Sequence, residues 1–139
     1  MPASERFASS PLFDSLVRLR AAWPGGGWSW DGRLSCVSSS FSVELMDEAR
    51  TAAQRALPNE WSAQSIGTAP DIVREVADTS GGVRAEQLVL ATDPAARVLA
   101  FGLWWPWGDD VTISLRVGLA GRISEDDQES FRDLFGAAL

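Results

Sequence analysis

At 139 residues, with 45% apolar side chains, seven tryptophans and six phenylalanines, the chain has the length and composition of one globular domain that buries roughly two-thirds of its unfolded surface. Nineteen acids against twelve bases leave a net charge of −7, which repels phosphate backbones and counts against nucleic acid as a partner. Histidine is absent and Cys36 is the single cysteine, which excludes a Ser-His-Asp or Cys-His catalytic set, a Cys/His zinc cage and an intrachain disulfide.

All twelve bases are arginine, a bias that reads as a GC-rich, bacterial source. No apolar run is long enough to span a bilayer, and the start "MPASERFASSPLF" has neither a basic n-region nor a continuous apolar h-region. The expected protein is soluble and cytoplasmic, without a membrane partner, and Cys36 is expected to be a packed thiol.

In chain order, Ser10 before Pro11 predicts a helix start, and Leu12, Phe13, Leu16, Val17, Leu19 and Trp23 fall on one helical face. "PGGG" at 24–27 stops that helix and lacks the lysine and setting of a phosphate loop. The next stretch predicts a hairpin turning at Asp31-Gly32, with Val37, Phe41, Val43 and Leu45 of one parity. An alanine-rich helix over 47–57 follows, with Asp47 as its cap. Between 58 and 82 the pattern is weaker. Thr68-Ala-Pro-Asp71 fits a helix start before "IVREVA", and 61–66 reads as strand or loop.

The stretch 84–119 predicts a three-stranded meander of 84–92, 97–105 and 111–119. Tight turns that pair Thr92 with Arg97 and Trp105 with Val111 gather Leu88, Leu90, Leu99, Phe101, Leu103, Trp105, Val111, Ile113, Leu115 and Val117 on one face. Small and polar residues line the other face, between 85 and 118, together with Trp104 and Arg116. Either the 47–57 helix covers that face and buries Trp104, or the face is open for recognition. Ser124, followed by Glu125, Asp126 and Asp127, starts a final helix whose stripe is Phe131, Leu134, Phe135 and Ala138. The fold class is therefore α+β: an antiparallel sheet, made of the 84–119 meander and an N-terminal hairpin, covered by the N- and C-terminal amphipathic helices and the alanine-rich helix, in a single domain over 1–139.

Asp109 and Asp110 are read as turn residues and not as a metal site, and no pair of carboxylates is set apart for acid-base work. The expected function is non-catalytic protein binding, with neither cofactor nor metal: an immunity or inhibitor protein that neutralises a cognate toxin. Its expected partner-binding residues are Trp104, Trp107, Asp109, Asp110 and Arg116, facing a basic protein. A homodimeric adaptor or secretion-chaperone-like module is one alternative. A small-molecule binding domain with a Trp-lined pocket is another.

Overall fold

A computed structural model describes residues 11–33 and 35–136. Among these, one antiparallel sheet in the order β1-β2-β6-β5-β4-β3 is built from Ser29–Asp31, Cys36–Ser42, Asn59–Ser62, Leu88–Ala91, Val98–Pro106 and Thr112–Gly121, numbered β1 to β6 along the chain. Four helices accompany it: α1 (Pro11–Ala22), α2 (Met46–Ala56), α3 (Asp71–Thr79) and α4 (Glu125–Phe135). The α+β class holds, and the sheet has six strands where the meander and the hairpin account for five. β3 joins at the edge beyond β4, and Trp61 lies in it opposite Val89.

The two faces of the sheet carry different covers. On one, buried Phe13, Leu16 and Leu19 of α1, the alanines 49, 52, 53 and 56 of α2, and Phe131 and Phe135 of α4 pack into a single cluster with Leu90, Ala100, Trp104, Leu115 and Val117. Alanines let the α2 backbone come close, and Gly102 leaves the room that Leu57 takes: a Cβ there would stand 2.8 Å from Leu57 Cδ1. On the other face α3 alone contributes Val73 and Ala77, which pack with Val89, Ala91, Leu99, Phe101 and Leu103.

The register of the central strands corrects the expectation. Trp105 stands opposite Ser114 and not Val111, and β4 leaves the ladder at Ala91 opposite Phe101, so that Thr92 lies across from Ala100 and not Arg97. Each pairing is slipped by three residues, an odd number, which turns every side chain of β5 to the other face relative to β4 and β6. The cause lies in the connections: the first is longer than the expected turn at 93–96, and the second reverses later than the expected turn at 106–110. Around the first, Thr92 N–H donates to Ala100 O and Ala100 N–H to Thr92 Oγ1. In the second, Trp107 N–H closes on Thr112 O.

Trp104 is consequently 3% exposed, inside the main core, and α2 covers the small-residue side of β5. Its ring begins a run of aromatic contacts through Phe41, Trp23, Trp28, Phe135 and Phe131, with successive centroids 4.9–5.5 Å apart. Trp23 Nε1–H donates to Ser39 Oγ, which donates to the carbonyl of Gly26, so the glycine stretch after α1 is tied down over β2.

Local starts and stops differ in detail. β2 ends at Ser42, whose hydroxyl caps a 3-10 turn over Val43–Leu45, so Val43 is exposed and not in the strand's inward row. α2 begins at Met46 with Asp47 in its first turn and not at its cap. Thr68 sits in a 3-10 turn, donating to Ser65 O, and α3 starts at Asp71 after Pro70. Val17 faces outward from α1. Ser124 caps α4 in a reciprocal pair of bonds with Asp127, as its spacing predicts. The expected roles of Ser10 and Ala138 fall outside the described residues. No helix among the described residues is long and apolar enough to cross a membrane.

Candidate protein-binding surface

At the end of the sheet where β5 turns into β6, the loop is organised by Asp109. Its Oδ1 accepts from the backbone N–H groups of Val111 and Thr112 at 3.0 and 2.9 Å, and its Oδ2 accepts from Thr112 Oγ1–H at 2.8 Å. These bonds, the Val111 N–H first and then the Thr112 hydroxyl, hold its carboxyl below the usual range, so it stays ionised. Asp110 takes the left-handed conformation that completes the turn, with φ 60°.

The tip is stapled to the start of α2 by Val43 N–H, which donates to Val111 O at 2.8 Å. That bond brings two short segments, 43–46 and 107–111, to one end of the molecule. Between them they hold four of the large apolar residues that remain open to water: Val43 (37%), Met46 (38%), Trp107 (51%) and Val111 (55%). Glu44, Asp47, Asp109 and Asp110 are interspersed with them and exposed, and neither 43–49 nor 106–115 contains a base.

The five residues expected from sequence therefore part company. Trp107, Asp109 and Asp110 share the tip, with Asp109 also serving as its internal brace. Trp104 is in the core and does not face a partner. Arg116 lies on the α3 side of the sheet, where the slipped register puts Trp105 beside it: the guanidinium stands 4.5 Å above the Trp105 ring, and its Nε donates to Asp31 Oδ2 at 3.4 Å. Arg116 is mostly covered, at 20% side-chain exposure. Burial raises the Asp31 carboxyl, but the backbone N–H and charge of Arg33, with Arg116 behind them, more than offset it and hold it below its ordinary value. Cys36, also on this side, is buried, and desolvation followed by the nearby Asp31 charge pushes its thiol up to about 12, so it is not a nucleophile at neutral pH. Close by, Ser114 Oγ is buried without a hydrogen-bond partner.

The chain matches no family model, no curated protein and no solved structure. The case for a function rests on its own surface chemistry. Among the described residues no three His, Cys, Asp or Glu side chains gather as metal ligands. A groove of about 310 Å³ between α3 and the sheet is lined by Ile72, Val76, Phe101 and Leu103, and no tryptophan borders it.

Val43 and Val111 were missed as surface residues because their types and parity read as core, and Met46 was given no place. The available signal was Asp109 followed three residues later by Thr112. That spacing lets one carboxylate bond a backbone amide and a hydroxyl, which moves the turn toward β6 and takes Val111 out of the strand.

Proposed function

We propose that this chain is a protein-binding domain of the immunity or inhibitor type, which captures a basic toxin or effector through the β5–β6 tip. The observation that carries the reading is the tip itself, where four open apolar side chains stand among four carboxylates on two segments, 43–49 and 106–115, that contain no base. Exposed apolar groups gathered in one place mark interaction sites, and a half-exposed tryptophan supplies a large, rigid anchor. The acids, added to the net charge of −7, speed encounter with a basic partner and set its orientation, while the apolar contact holds it. Asp109 braces the loop so that Trp107 is presented without the entropy cost of ordering a mobile segment. Function follows from occlusion of the partner.

The test is neutralisation in living cells. Reading frames adjacent to this one in the source genome are expressed with and without the chain, and growth is scored. The expected result is that one neighbour is toxic, that the wild-type chain restores growth, and that Trp107→Asp or Val111→Asp weakens capture by tenfold or more, on the order seen for interface anchors. Neutralisation indifferent to both substitutions, or no neighbour that is neutralised, would contradict the proposal.

A further inference from the structure

The opposite end of β5 carries the reverse charge. A groove of about 540 Å³ opens there between α1, α2 and the β4–β5 connection, and three arginines line it, one from each: Arg18, Arg55 and Arg97. Among the described residues Arg33, Arg50, Arg74 and Arg116 stand within ion-pair distance of a carboxylate, whereas Arg20, Arg84, Arg122 and Arg132 do not. None of the three groove arginines does so among the described residues. Arg18 donates to the Ser15 hydroxyl and Arg97 to the carbonyl of Arg122, both neutral acceptors. The two acids that border the groove are committed to their own backbone. Asp93 accepts from Ala95 N–H, and Asp127 accepts from Ser124 N–H in the α4 cap.

Three guanidinium groups from three elements along one groove give it a positive bias that favours an anion. The floor between them is apolar, made by Leu12, Ala56 and Val98 among others. Guanidinium forks match the oxygens of a phosphate group, and a phosphate monoester offers them close to two charges and three acceptor atoms. The volume falls within the range of small-ligand sites. We infer that this groove binds the phosphate monoester of a small molecule with an apolar body, the phosphate held by Arg18, Arg55 and Arg97 and the body laid on the floor. The β5–β6 turn lies at the far end of the strand, while Asp47 at the start of α2 shares a neighbouring groove with Arg18 and Arg55.

The experiment titrates the full-length, isotopically labelled chain with octyl phosphate below its micellar range, following backbone amide signals, with inorganic phosphate and octanoate in parallel. Octyl phosphate is expected to move amides around residues 12–18, 55–58 and 93–98 in a saturable, salt-sensitive way, and inorganic phosphate to move the same set more weakly. Arg55→Gln and Arg97→Gln, both at exposed positions that leave the core intact, are each expected to weaken binding about tenfold, as loss of one charged hydrogen-bonding group does. The inference is overturned if octyl phosphate moves no amide of the groove, if octanoate binds as tightly as octyl phosphate, or if the arginine variants bind as well as the wild type.

Discussion

Trp104 and Trp105 are neighbours of one residue type on one strand, and their surroundings have nothing in common. Trp104 is sealed under α2 and edges onto Phe41, in a core fed by three helices. Trp105 lies on the face that only α3 helps to cover, and its ring is topped by the Arg116 guanidinium, itself paired with Asp31. The difference teaches that in a central strand the environment of an aromatic residue is set by the register of its hairpin and not by its own type. It also separates indoles that hold the fold together from Trp107, which is half exposed at the tip.

Substitutions sharpen this contrast in a graded order. Trp104→Ala removes a fully packed ring and should cost about 3–5 kcal/mol in chemical denaturation, enough to threaten folding at this size. Trp105→Ala leaves the main core alone and loses a cation–π contact and partial burial against the α3-side cluster, so a cost of about 1–2 kcal/mol is expected in the same assay. Equal losses from the two would break the comparison.

A smaller effect is expected from Asp31 beside that ring. Its carboxyl in the fold is held below its ordinary value of 3.8, so the stabilisation it brings is complete above that value and is lost as pH falls through the lowered one. Unfolding midpoints measured down this acid range should fall in the wild type and fall less in Asp31→Asn, which has no charge to lose. Smallest of all is Trp107→Ala, which should change stability by no more than about 0.5 kcal/mol, as for surface sites generally, while removing the anchor that the proposed partner uses.

Much of the architecture was legible because its signals are local. Ser124 with Asp127 marks the start of α4, the Phe131 and Phe135 spacing marks its inner face, and Asp31-Gly32 marks the first hairpin. The alternation on β2 and β6 is also readable, since each has a polar side. β5 has none. From Val98 to Trp104 every residue is buried, because helices lie over both of its faces, and a strand apolar on both sides says nothing about which parity points where. Two assumed turns agreed with each other, and both pairings were off by the same three-residue register, so their agreement gave no warning. Of the proposed binding surface, Trp107 and the two aspartates were legible as hairpin-tip residues. The contribution of Val43 and Met46 was not, because it depends on a bond between segments 68 residues apart in sequence, Val43 and Val111.

Which indole faces inward rests on the pairing of β5 with β6, and a cross-link reads that pairing directly. Partners across an antiparallel ladder lie about 4.5–5.5 Å apart at Cα, within reach of a disulfide. In a Cys36→Ala background, Trp105→Cys with Ser114→Cys should oxidise to an intramolecular bond with loss of both free thiols, while Trp105→Cys with Val111→Cys should keep its thiols under the same conditions. A bond between positions 105 and 111, with none between 105 and 114, would contradict the account and return Trp104 to the other face.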